Sequence, residues 1–84
     1  MFKLIYAKSV VKDLRKIAPH QLATIKEGIE ELRLFPNLPQ IKQLNNHPIA
    51  NYRLRIGNYR VLFDVNWEQQ EIYILKVGHR RDVY

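Results

Sequence analysis

Between residues 52 and 65 the chain reads YRLRIGNYRVLFDV, with apolar and polar side chains alternating on both sides of Gly57 and Asn58. Alternation with a period of two is the signature of a half-buried strand, and a Gly-Asn pair between two such runs marks a tight hairpin. The pattern therefore predicts strands over 52–56 and 59–65. A two-residue loop also fixes the pairing: Ile56 faces Tyr59, Arg55 faces Arg60, Leu54 faces Val61, Arg53 faces Leu62 and Tyr52 faces Phe63. Tyr52, Leu54, Ile56, Tyr59, Val61 and Phe63 then form one apolar face, while Arg53, Arg55 and Arg60 share the other. A third strand over roughly 71–77 follows the NWEQQ turn. With a loop at 66–70, Lys76 is expected beside Arg60, and Asp64 is expected on the same face as an ion-pair partner for one of the arginines.

The N-terminal half has a different period. FKLIY (2–6) reads as a short strand. Ser9 then stands as a helix cap before Val10, Leu14 and Ile17, which recur at helical spacing up to the break at Ala18-Pro19. From His20 to Phe35, Leu22, Ile25, Ile29 and Leu32 make one apolar stripe on a second helix. Pro36 and Pro39 close it and open the loop PNLPQIKQLNNHPIAN, long for a compact domain, which either carries function or is pinned by Ile41 and Leu44. Trp67, in the turn before the last strand, is expected at the edge of the core. The element order β-α-α-β-β-β predicts an α+β fold, with both helices on one face of a small, mostly antiparallel sheet.

Composition narrows the class. The chain has 84 residues, 46% of them hydrophobic, which suits one domain (1–84) with one core. It has no cysteine, so disulfide frameworks and thiolate metal sites are excluded; its three histidines are scattered, and no metal or cofactor is expected. No apolar run approaches the ~20 residues of a membrane span, and the N-terminal run is too short for a signal peptide, so a cytoplasmic protein is expected. The net charge of +6 favours a polyanionic partner. Its distribution matters more than its size, because five of the six cations after residue 49 are arginines, the side chain suited to bidentate phosphate contacts.

Arg55 opposite Arg60 is the informative pair. Like charges at facing positions destabilise a sheet by about 0.2–1 kcal/mol, and uncharged polar residues would keep the outer face wet without that repulsion. An anion site on this face explains the pair. The tail GHRRDVY (78–84) reads by itself as a frayed basic terminus, or, with Gly78 as a hinge, as a segment that brings His79, Arg80, Arg81 and Tyr84 to one end of that face.

YRLRIGNYRVLFDV, LKVGHRRDVY and the early SVVKDLRKI together resemble the RelE/ParE superfamily of bacterial toxins, and its RelE branch in particular. The resemblance spans essentially the whole chain. It implies an mRNA endonuclease acting in the small-subunit (30S) A site of the ribosome, inhibiting translation and masked by a RelB-like antitoxin through an acidic segment. By position it implies site residues Arg55, Arg60, His79, Arg80 and Tyr84, with Arg53, Lys42, Lys76 and Arg81 binding substrate. Where the best-known member has a lysine pair on the first meander strand, this chain has Arg53 and Arg55, which stay protonated at neutral pH and so serve as phosphate clamps rather than bases. A glutamate used by related branches is replaced by Lys42, leaving His79 and Tyr84 for proton transfer. The implied reaction is attack of a ribose 2′-OH on its own 3′-phosphate, without metal. Two other functions fit the same fold: a ParE-like DNA gyrase poison, and a catalytically weak homologue acting only in a repressor complex.

Overall fold

A computed structural model describes residues 1–83. Five strands, β1 (Lys3–Tyr6), β2 (Ile41–Gln43), β3 (Tyr52–Ile56), β4 (Tyr59–Asn66) and β5 (Glu71–His79), form one sheet in the order β1-β5-β4-β3-β2. Helices α1 (Lys8–Arg15) and α2 (Pro19–Glu30) lie on one face, and the single-turn helix α3 (Arg80–Val83) follows β5. β1 runs parallel to β5 and every other pair is antiparallel.

The β3–β4 register is the one that the alternation predicts, from Ile56–Tyr59 through Arg55–Arg60 to Tyr52–Phe63. Gly57 has φ +57°, matching a type II′ turn, in which glycine takes the first central position. The apolar set of these strands meets the helices in the main core. Val10, Ile25, Ile29, Val61, Phe63, Ile72 and Ile74 are buried there, and full burial of such a side chain contributes about 1.5–3 kcal/mol.

Several local expectations are revised. α1 begins at Lys8 with Ala7 as its N-cap, and the Ser9 hydroxyl, one residue inside, donates to the Leu75 carbonyl at 3.4 Å. Pro19 opens α2 rather than only ending α1, because proline at the first helical position loses a hydrogen bond that position lacks anyway. α2 stops at Glu30 and a 3-10 turn carries the stripe on through Glu31–Leu34, with Leu32 buried. The 36–51 segment contains β2, whose three residues pair with β3 at the sheet edge. Trp67 is half-exposed and packs edge-on against Phe2, with ring centroids 5.6 Å apart, at the rim of the core.

Two errors of register displace Lys76. Asn66 pairs with Glu71, which shortens the turn, and a bulge between Leu62 and Phe63 shifts β5 again. Gly78 therefore faces Arg60, and Lys76 faces Leu62. Asp64 accepts the Asn51 N–H at 2.6 Å instead of pairing with an arginine.

Past the stretch paired with β1, the outer edge of β5 is covered by α1, where Asp13 Oδ2 accepts the Val77 N–H at 3.1 Å. This side chain replaces a missing strand partner. Asp13→Ala leaves that N–H unpaired and is expected to lower stability by about 1–3 kcal/mol, read from the urea midpoint, with Asp13→Asn retaining most of it.

Candidate anion site

The outer face of the sheet is not an open plate of arginines. Leu62, on the same face as Arg60, is fully buried in a second small cluster with Ala50 and Val83, flanked by Leu44 and Leu75. The tail therefore folds back. A Cβ at Gly78 would stand 2.8 Å from Val83 Cγ2, so this glycine serves close packing of α3 against β5 rather than a hinge. The Arg80 N–H donates to the Asn58 carbonyl at 2.8 Å, tying α3 to the hairpin turn.

That arrangement brings Arg55, Arg60 and Arg80 to one cavity of about 510 Å³. It forms where β2 begins: the Arg55 N–H donates to the Gln40 carbonyl at 3.1 Å, one residue before the first paired residue of β2. Thr24 and Glu27 of α2 and Glu31 of the 3-10 turn after it complete the lining from the helix side. Gly28 allows the helix this close, since a Cβ there would stand 2.5 Å from Ile56 Cδ1.

Arg60 is the fixed member of the arginine wall. It is 9% exposed, and its Nη1 donates to the carbonyls of Gly57 and Tyr59, both at 2.9 Å. Its Nε is buried without a partner, as is that of Arg53. Leaving a buried donor unpaired costs about 1–3 kcal/mol, and more when it is charged. Arg55 and Arg80 are exposed. Among the described residues the single ion pair is Arg33–Glu30, at 2.7 Å, so none of the three cavity arginines is held by a carboxylate. Arg55 and Arg80 thus present exposed, uncompensated charge beside the anchored Arg60.

The remaining sequence candidates divide. Lys42 faces Arg53 across β2 and β3, making a second basic pair at the sheet edge. Arg81 is exposed on α3. His79 faces Tyr59, not Arg60; their rings meet edge-on at 5.6 Å, and the Arg81 N–H donates to His79 Nδ1 at 3.3 Å. With Lys76, Asp13, Lys16 and Asp82 it lines a separate cleft of about 240 Å³. Alternation along β5 explains this, since residues 78 and 79 point to opposite faces. Tyr84 lies outside the described residues. No group of three His, Asp or Glu side chains converges for a metal, and no helix is long and apolar enough to cross a membrane, among the described residues. Sequence reasoning missed Thr24, Glu27, Glu31 and Gln40. The signal available was Gly28, a glycine inside a strong helix, flanked on one stripe by Thr24 and Glu31.

Residues 4–84 match the family model described as the ParE toxin of type II toxin-antitoxin systems, parDE. The putative toxin RelE1 of Methanocaldococcus jannaschii is 37% identical over 87 residues, covering 99% of this chain and 94% of its own. Toxin RelG of Mycobacterium tuberculosis is 34% identical over 74 residues, covering 87% of this chain and 84% of its own. Among solved structures, the toxin-antitoxin complex RelBE2 from Mycobacterium tuberculosis gives a TM-score of 0.81 at 29% identity, covering 94% of this chain and 98% of that one. The RelB-RelE complex from Methanococcus jannaschii gives 0.72 at 34% identity, covering 95% and 94%.

The packing of Val83 makes a local prediction. Val83→Asp places a charge in the small outer cluster, so α3 is expected to release while the main core persists. Amide hydrogen exchange at Arg80 should accelerate at least about tenfold, with the amides of Val61 and Phe63 still protected.

Proposed function

The chain belongs to the RelE/ParE family of type II toxin-antitoxin toxins, and on that premise we propose that it is a ribosome-dependent endoribonuclease that cuts mRNA in the A site and so inhibits translation. The observation that carries this reading is the buried, incompletely paired Arg60 beside Arg55 and Arg80 on one cavity, with no carboxylate neutralising any of them. A gyrase binder has no need of a pre-formed phosphate site.

In the proposed reaction the ribose 2′-oxygen bonds to the adjacent phosphorus and the bond to the 5′-oxygen breaks. The products are a 2′,3′-cyclic phosphate and a 5′-OH. One proton leaves the 2′-oxygen and one reaches the 5′-oxygen. Arg55, Arg60 and Arg80 neutralise the charge that builds on the phosphorane-like transition state, and fixed donors aimed at such charge are usually the largest catalytic term. Arg60 needs no reorganisation, being already held by the turn. Lys42, Arg53 and Arg81 extend the basic surface along the RNA backbone. His79 points away from this cavity and accepts from the Arg81 N–H, so its part in the proposal is to set the turn that presents Arg80 and Arg81. Tyr84 keeps the part of donating to the leaving oxygen or stacking on a base. A site with few proton acceptors depends on the ribosome to align the 2′-OH, through orientation worth several kcal/mol. The proposed partner is a cognate RelB-like antitoxin, in keeping with the RelB-RelE complexes of its structural relatives, whose acidic segment covers the arginine cavity in the cytoplasm.

Arg55→Ala and Arg80→Ala alter exposed side chains and should leave the urea midpoint unchanged. Each is expected to reduce cleavage of ribosome-bound mRNA, mapped by primer extension, by about 10²–10³ and to relieve growth arrest. Wild-type cleavage in Arg80→Ala would remove this site. Trapped gyrase-DNA breaks without codon-spaced RNA ends would establish the ParE-like alternative, and neither signal would leave a repressor-complex partner. Arg60→Ala should lose cleavage as well, but also about 1–3 kcal/mol of stability, because its guanidinium holds the turn carbonyls.

A further inference from the structure

His79 ends β5 and immediately precedes α3, so it holds the position from which a helix is capped. A capping side chain accepts from the backbone N–H two or three residues on, while its own backbone is extended. Both conditions are met, since His79 is a strand residue and its Nδ1 accepts the Arg81 N–H at 3.3 Å. The residues usually found there are Ser, Thr, Asp and Asn, which accept throughout the physiological pH range. Histidine does so at Nδ1 only while the ring is neutral and its proton sits on Nε2, because a backbone N–H can only donate.

α3 is built to respond. It has a single turn, too short to hold itself by its own hydrogen bonds, so it depends on ties to the rest of the fold. Val83 packs in the outer cluster, the Arg80 N–H donates to the Asn58 carbonyl, and His79 caps the first turn. Of these ties, the strength of the cap alone depends on a proton. The half-buried ring lies edge-on against Tyr59 of β4, whose hydroxyl donates to Gln21 Oε1 at 2.8 Å, so packing holds it in place. Charged groups face it from every neighbouring element. Lys16 at the end of α1, Lys76 of β5 and Arg81 of α3 oppose a positive ring, whereas Asp13 of α1 and Asp82 of α3 favour one. An imidazolium that gives up the Arg81 N–H therefore has carboxylates in the same cleft to turn to.

We propose that His79 is a protonation switch for the anion site. As a neutral imidazole it caps α3 and holds Arg80 at the cavity; on taking a proton from solvent it presents a second donor to the Arg81 N–H, the cap is lost and Arg80 is released. The sign follows from the cap. The docked tail uses the neutral ring, so docking is complete at the alkaline end and is lost as pH falls through the ring's titration. A positive charge beside the first N–H groups of a helix is unfavourable in the same direction. The effect on RNA cleavage rests on the nuclease reading; the docking of the tail does not.

The test follows the full chain by NMR between about pH 8 and pH 5, the span in which imidazole charge ordinarily changes. At the upper end the His79 ring is expected as the Nε2–H tautomer, and the Arg81 amide shift should move with the same midpoint as the ring nitrogens. Protection of the Arg80 amide, corrected for intrinsic exchange, should fall by about three- to tenfold across that span, the shift that loss of a typical cap produces. His79→Asn keeps an acceptor at the same point of the side chain but does not titrate, so it should hold this protection constant. His79→Ala should show the low value throughout. The ratio of wild-type to His79→Asn cleavage of ribosome-bound mRNA should decline by a similar factor towards acid. An Nδ1–H tautomer, an Arg80 amide indifferent to the ring titration, or equal protection in the Asn and Ala variants would overturn the switch. Cleavage lost in His79→Asn with α3 still docked would overturn it as well, by making the imidazole a reacting group. A tail that docks and releases with the ring, in a protein that cuts no message, would remove the nuclease reading and leave the switch standing.

Discussion

Arg60 donates two hydrogen bonds to the carbonyls of Gly57 and Tyr59, and through them a buried guanidinium is tied to the turn that sets the register of the whole sheet. With a side-chain period of two, a slip of one residue in that hairpin would turn Leu54, Val61 and Phe63 to solvent and drive arginines under the helices. The core and the site are therefore fixed by the same two-residue turn. What holds the fold in register also holds the central cation of the site in place before any ligand arrives.

The molecule leaves its opposing charges separated. Gly28 lets α2 approach β3 closely enough to make a cavity, yet the glutamates on that helix and the arginines beyond the strand remain apart. Neutralising them internally would leave the arginines no free charge for an incoming anion. The repulsion between Arg55 and Arg60 and the buried, unpaired Nε are local costs of the kind that concentrate at functional sites.

The hairpin was readable because Gly57-Asn58 fixes pairing over five residues on each side, so three arginines were assigned to a face from sequence alone. Further from that turn, legibility fell in physically distinct ways. β2 has only three residues, too few for a period to show. The bulge at Leu62/Phe63 leaves no mark in the alternation, and it carried Lys76 away from Arg60. The return of the tail depends on one apolar residue, Val83, meeting Leu62 and Ala50 from distant parts of the chain. His79 adjoins Arg80 in sequence but ends a strand in which successive residues face opposite ways, so it turns to the Tyr59 side. The apolar stripe identifies α2 but says nothing of its polar side, where Thr24 and Glu27 reach the cavity lining.

The parallel pairing of β1 with β5 joins Lys3–Tyr6 to Glu71–Ile74, contacts almost as distant in sequence as this chain allows. Such contacts close late in folding, because the entropy of the intervening loop is lost before the pairing returns anything. During synthesis the first strand must wait for the last, and Arg80 is made later still. The arginine cavity, which needs Arg80 tied to the hairpin turn, therefore forms only after the chain between the first and last strands has been made and paired.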